Sequence, residues 1–178
     1  QGKTERYRHL FRHLAAHSAE RMLPADGARG MVMAVFTPRD YPVVIKVIRD
    51  RFAYPKDIAR HEVEQKYRMV ARYDRVGRLV DAQEFRDLRF PLSLFDADLL
   101  AELRRECAAS VDIQQDQLLL RHAYIERRLR PLDLYARETP FDAARRAVLD
   151  YGQTIKDLAR SNIFPGDLIQ HIQCTENS

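Results

Sequence analysis

The chain has 178 residues, 46% of them hydrophobic and 31% charged, which is enough for one domain with a core of its own and too apolar for a disordered chain. Its net charge of +4 arises from 30 basic and 26 acidic residues that are interspersed, so the excess reads as a solvated surface rather than a polyanion-binding field. The longest apolar run, 31–36, is too short to span a bilayer, and two cysteines without a CxxC or a Cys/His cluster indicate neither a disulfide framework nor a structural zinc site; a cytoplasmic protein is expected.

Residues 4–22, "TERYRHLFRHLAAHSAERM", predict a helix with Leu10, Phe11, Leu14 and Ala15 as its apolar stripe. His9, His13 and His17 recur at i, i+4 and i+8, which allows at most a two-histidine metal site and otherwise describes a polar helix face. Two strand-length runs follow, 31–36 and "VVIKVI", separated by "PRDYP", which is turn chemistry, and preceded by a loop with Gly27 and Gly30. Alternation places Val44, Lys46 and Ile48 on one face of the second strand and Val43, Ile45 and Val47 on the other.

Residues 56–75 have helical spacing, with Ile58, Val63, Tyr67, Val70 and Ala71 in register and Gly77 as a stop. "RLVDAQEF" reads as a strand containing Asp81, residues 96–108 as a helix capped by Asp96, and "DQLLLRHAYIERRL" as a strand broken by Pro131. Thr139-Pro140 predicts an N-cap with Pro at N1 for a helix over 140–161, whose stripe is Phe141, Ala144, Val148, Tyr151, Ile155 and Leu158. That helix runs into Asn162-Ile163-Phe164-Pro165-Gly166-Asp167.

Taken singly these signals are weak: a glycine loop is usually a turn, a strand lysine is usually paired, and an aspartate after a helix is usually a cap. Their order carries more. A glycine loop, a strand, a strand with "VIK", a helix, further strands, a long helix and a loop aspartate form the sequence of parts in an α+β, protein-kinase-like bilobal fold. In such a fold Gly27 and Gly30 free backbone N–H groups to approach phosphate oxygens, and Lys46 supplies a charge to the same phosphates. Glu62 or Glu64 of the 56–75 helix would hold Lys46, the backbone near Ile125-Glu126-Arg127 would read adenine, and Asp167 would orient the substrate hydroxyl.

The segments "ADGARGMVMAVFT", "VIKVIRDRF", "YDRVGRLVDAQEF", "RHAYIERRLRPL" and "NIFPGD" together resemble the bifunctional isocitrate dehydrogenase kinase/phosphatase family of bacteria, from about residue 5 to residue 167. The resemblance implies a nearly complete small lobe and the first part of a mainly helical large lobe: residues 1–23 a helical tail of an upstream regulatory region, 24–167 a partial kinase-like catalytic domain, and 168–178 an aberrant tail. It implies ATP-dependent phosphorylation of a serine of isocitrate dehydrogenase, and removal of that phosphate at the same site with ATP or ADP and Mg2+, controlling the branch between the tricarboxylic acid cycle and the glyoxylate bypass. Carried over by motif, Ala25, Asp26, Gly27, Ala28, Arg29, Gly30 and Met31 match the ATP loop, Lys46 the ATP-contacting lysine, and Asp81 and Asp167 the active-site acids.

One departure stands out. The family pattern continues from "PGD" into a Lys-Asn pair and then an acidic metal-binding motif, whereas here positions 171 and 172 are His and Ile. Mg2+ needs oxygen ligands, so the metal-binding residues are missing from this chain, and an inactive fragment is expected. The alternative is a non-catalytic nucleotide-binding or interaction module. A third reading, nucleic-acid binding through Arg121, Arg127, Arg128 and Arg130, lacks interleaved aromatics and is interrupted by Glu126; neither nucleic acid nor membrane is an expected partner.

Overall fold

The computed structural model of the chain describes residues 2–27, 29–52, 59–73 and 82–163. Contacts divide the chain into one unit of Gln1–Arg68 with Asp81–Arg128, and a second of Met69–Val80 with Leu129–Ser178. Among the described residues the elements are α and β, with five α-helices and an antiparallel sheet.

The sheet lies in the first unit. Its strands are β1 (Met22–Pro24), β2 (Met33–Pro38), β3 (Val43–Ile48), β4 (Gln83–Pro91), β5 (Val111–Gln114) and β6 (Gln117–Arg127). They run in the order β1-β2-β3-β6-β4, with β5 also paired to β6. β6 is the hub, because its 11 residues pair with β4 along one edge and with β5 and then β3 along the other. Such a strand should be buried on both faces, and β6 is: residues 118–120 and 122–126 are all buried, His122 and Glu126 among them.

The alternation expected in β3 is present. Val43, Ile45 and Val47 join Phe36, Phe90 and Ile125 in the main core, whereas Ile48 joins Met33, Val63 and Tyr124 on the other face. Three elements close these faces: α1 (Lys3–Ala16) contributes Leu10 and Leu14 to the main core, α3 (Ala97–Glu106) adds Leu99 and Leu103, and α2 (Arg60–Tyr73) brings Val63 to the opposite side. Of the α1 stripe, Ala15 is exposed and Phe11 packs against the core, stacked 5.2 Å from Phe90. The Asp96 side chain caps α3 by accepting from the Leu99 N–H at 2.8 Å, as its spacing predicts.

Strict alternation fails at one point along the paired strands β4 and β6. On β4 the core residues are Phe85, then Leu88 and Phe90, so the inward parity changes between 85 and 88. Asp87 lies between them with φ of 55°, a left-handed conformation that aspartate tolerates better than most side chains. The partner strand changes parity opposite it, with Leu118 and Leu120 and then Ala123 and Ile125 in the core.

In the second unit α4 (Leu132–Glu138) packs with α5 (Phe141–Arg160). The start of α5 differs from expectation: its N-cap is Pro140, without a side-chain cap, and the Thr139 hydroxyl instead donates to the Tyr135 carbonyl at the end of α4. Five residues of the predicted α5 stripe are not buried; Phe141 is 79% exposed, and Leu158 is the buried member.

Candidate functional site

The glycine loop joins β1 to β2. It is tied to the sheet at its start, where the Ala25 N–H donates to the Val35 carbonyl at 3.1 Å, and at its end, where the Gly30 carbonyl accepts from Arg49 Nε at 3.0 Å. Both glycines have a local cause. Gly27 has φ of 101°, a region that a Cβ disfavours. A Cβ at Gly30 would lie 2.8 Å from the Met33 carbonyl oxygen, which is backbone and has little room to give.

Lys46 is placed by β3, opposite Val35 on β2 and Tyr124 on β6. Ala25 bonds the strand next to β3, so the loop begins two strands from Lys46, roughly 10 Å at ~4.8 Å per strand. Lys46 shares its face with Ile48, beside Met33, Val35 and Tyr124, which is the face that α2 covers.

The partner of Lys46 is not on α2. Its ammonium pairs with Glu126 of β6 at 2.6 Å, the two side chains 19% and 6% exposed. Glu62, one of the two expected partners, accepts from the Ala59 N–H and so caps its own helix. Glu64, the other, faces Arg60 and Arg68 along the helix and lies 3.6 Å from His122 Nδ1. The hydrogen-bonded neighbourhood of β3 and β6 brings Lys46 and Glu126 together diagonally, and no swing of a helix is needed for it.

Beyond that pair the α2 face is a polar row. His122 Nε2 is 3.1 Å from Glu84 Oε1, and the Tyr124 ring lies 4.1 Å from the Tyr67 ring. Burial pulls the His122 imidazole below its ordinary value, against the opposing pull of Glu64 and Glu84. Burial also pushes the Tyr124 phenol up to about 12. Glu84 ends below the usual carboxylate range: burial raises it, and the Arg86 hydrogen bond with the charges of His122, Arg86 and Arg68 more than offsets that.

On the opposite face, Arg29 of the loop reaches Glu102 and Glu106 of α3 at 3.0 and 2.5 Å, and the buried Arg49 pairs with both of the same carboxylates. An open cleft of about 810 Å³ lies here, lined by Arg29, Gly30, Met31, Arg49, Phe52 and Glu106 among others. Lys46 does not line it, because Arg49 follows the parity of Val47 toward α3. The cleft therefore reports how the loop is anchored rather than where Lys46 acts.

Of the residues expected to carry chemistry, Ala25, Asp26, Gly27, Arg29, Gly30, Met31 and Lys46 are described; Ala28, Asp81 and Asp167 lie outside the described residues. Sequence reasoning placed Glu126 only in the stretch whose backbone would read adenine, and missed both its pairing with Lys46 and the Arg29–Glu102–Glu106–Arg49 cluster. A usable signal for Glu126 exists: it and Lys46 are opposite charges in two otherwise apolar strands. His13 also has a definite role, pairing at 2.8 Å with buried Glu20, whose carboxylate accepts from the Arg21 and Asp40 N–H groups and so pins the β2–β3 turn to the end of α1. The Cys107 thiol is pushed up to about 11 by burial, which keeps it from acting as a nucleophile near neutral pH.

Among the described residues no helix is long and apolar enough to cross a membrane, and no group of three or more His, Cys, Asp or Glu is arranged to hold a metal ion. Comparison with known proteins gives a clear family signal. The model of the isocitrate dehydrogenase kinase/phosphatase (AceK) kinase domain matches residues 20–172. The chain is 57% identical over 169 residues to an isocitrate dehydrogenase kinase/phosphatase of Xanthomonas campestris pv. campestris (strain 8004), covering 95% of the chain and 29% of that relative. It is 51% identical over 168 residues to one from Anaeromyxobacter sp. (strain Fw109-5), covering 94% of the chain and 29% of the relative. The chain thus spans about 29% of the length of the curated relatives it matches.

Proposed function

The chain belongs to the isocitrate dehydrogenase kinase/phosphatase family, and from that premise we propose that it carries the nucleotide-binding part of a kinase-like bilobal catalytic domain. The parent activity is ATP-dependent phosphorylation of a serine of isocitrate dehydrogenase and removal of that phosphate, at the branch between the tricarboxylic acid cycle and the glyoxylate bypass. The observation that carries this reading is the position of Lys46: a charged side chain on an inner strand, beside the strand that a two-glycine loop enters.

The residues present fit a nucleotide triphosphate. Gly27 leaves the loop backbone free of a Cβ where phosphate oxygens would approach, Gly30 lets the loop close on the Met33 carbonyl, and Lys46 provides a compact cation. Val35, partly buried beside Lys46, offers an apolar contact on the same face, suited to a base or ribose. The backbone near Ile125-Glu126-Arg127 would read adenine in this arrangement, and Asp81 and Asp167 would serve as the active-site acids. When bound, Mg2+ would neutralise phosphate charge; the chain has His171 and Ile172 where the family pattern has Lys and Asn.

Binding without turnover is therefore the reading for this chain by itself. ATP should bind to the purified 178-residue chain, as measured by calorimetry, with no transfer of labelled phosphate to isocitrate dehydrogenase and none released from the phosphorylated form. Phosphate transfer would overturn the claim of inactivity, and absence of ATP binding would overturn the nucleotide reading.

A further inference from the structure

We infer that Glu126 is the positioning residue for Lys46, so that the phosphate-facing lysine is set by the sheet and not by helix α2. The inference rests on the nucleotide reading above. It follows from where the nearby carboxylates among the described residues are committed. Glu126 reaches Lys46 at 2.6 Å from the adjacent strand, while Glu62 caps α2, and Glu64 and Glu84 face Arg60, Arg68, Arg86 and His122.

Helix α2 is held by contacts that exclude Lys46. Val63 is buried, Tyr67 stacks on Tyr124, and the Tyr67 hydroxyl lies 3.3 Å from Met33 Sδ. In a design where a helix carboxylate holds the lysine, moving the helix disarms the site. Here β3 and β6 are joined by backbone hydrogen bonds from Val43↔Arg127 to Lys46↔Tyr124, and the ion pair travels with that ladder. Shifts of α2 leave the lysine in place, and the nucleotide site is permanently armed. A side chain held ready loses less entropy when phosphate arrives, which is the physical benefit of the arrangement.

The test uses the 178-residue chain and two readouts. Ion-paired ammonium groups exchange protons slowly enough to give a side-chain 1H–15Nζ signal, and the Lys46 signal is identified by its loss in Lys46→Arg. That signal should vanish in Glu126→Gln and persist in Glu62→Gln and Glu64→Gln. ATP affinity should fall roughly three- to tenfold in Glu126→Gln, the entropic cost of ordering one long side chain, and stay unchanged in the two α2 variants. Glu126→Asp keeps the charge and withdraws it by one methylene, so the Lys46 signal should move. A signal at its original position in that variant overturns the inference whether or not Glu126→Gln folds. Loss of the signal or of affinity in Glu62→Gln or Glu64→Gln with Glu126→Gln unaffected also overturns it, as does an unchanged ATP affinity in a folded Glu126→Gln chain. Failure of the unaltered chain to bind ATP removes the nucleotide reading and the purpose assigned to Glu126; the ammonium signal would then still report whether the pair forms.

Discussion

On the face of the sheet that α1 and α3 cover, Phe36, Phe90, Leu103 and Ile125 are fully buried among apolar neighbours; on the face that α2 covers, four buried hydrophobic residues share the surface with Lys46, Glu126, His122 and Glu84. Both faces belong to the same strands, so the contrast is set residue by residue through alternation. The first face supplies cohesion, because burying a large apolar side chain contributes about 1.5–3 kcal/mol. The second keeps charges in a half-buried place where each must be paired, which is costly for stability and useful for holding an anionic ligand.

Substitutions can break this contrast from either side, and the largest effect is expected on the apolar face. Phe90→Ala removes a ring that stacks on Phe11 and meets Phe95 edge-on, and should lower stability by about 3–5 kcal/mol in urea unfolding. A loss below about 1 kcal/mol would mean that this face is not the core. On the polar face, Lys46→Met strands the buried Glu126 carboxylate and should cost roughly 3 kcal/mol, while Lys46→Met combined with Glu126→Gln should recover at least half of that. Both chains should lose ATP binding, which separates the structural penalty from the functional one.

Smaller effects sharpen the picture. Gly30→Ala forces a Cβ against the Met33 carbonyl and should cost roughly 1–3 kcal/mol together with a loss of ATP affinity; full tolerance would show that the loop moves freely. The smallest effect is the pH dependence from His122, which Glu64, Glu84, Arg86 and Arg60 surround. Its folded value lies below the ordinary 6.5, so the unfolded chain binds the extra proton first; the stabilisation is complete above pH 6.5 and is lost as pH falls from there toward the folded value. Glu84 and Glu20 are lowered carboxylates and act in a different window, below about 4.5, where their stabilisation is lost on further acidification. His122→Asn should flatten the upper window and leave the lower one unchanged.

Much of the sheet was legible because β3 and β6 announce themselves: "VVIKVI" is a β-branched run and "QLLLRHAYIER" a mostly apolar one of strand length, and Asp96 marks the α3 cap by type and spacing. The short strands β1 and β5 were not, since three or four residues carry too little periodicity to register. Nor was α4, which Pro131 opens where a strand break was the natural reading. The parity change at Asp87 depends on a backbone angle that no side-chain pattern encodes. For the site, composition and order pointed to Lys46 and the glycine loop, but the partner of Lys46 depends on which strands lie side by side. β6 follows β3 by some 70 residues in sequence and adjoins it in the sheet, so Glu126 becomes a neighbour only through topology.

The central claim is that Lys46 faces a bound nucleotide, and the most direct measurement is the rate at which Lys46 is acylated with and without saturating ATP, read by mass spectrometry against the exposed Lys66 and Lys156 as internal references. The account predicts that ATP slows modification of Lys46 alone. Equal rates at Lys46 in the presence and absence of ATP, in a chain that is folded and binds the nucleotide, would contradict it.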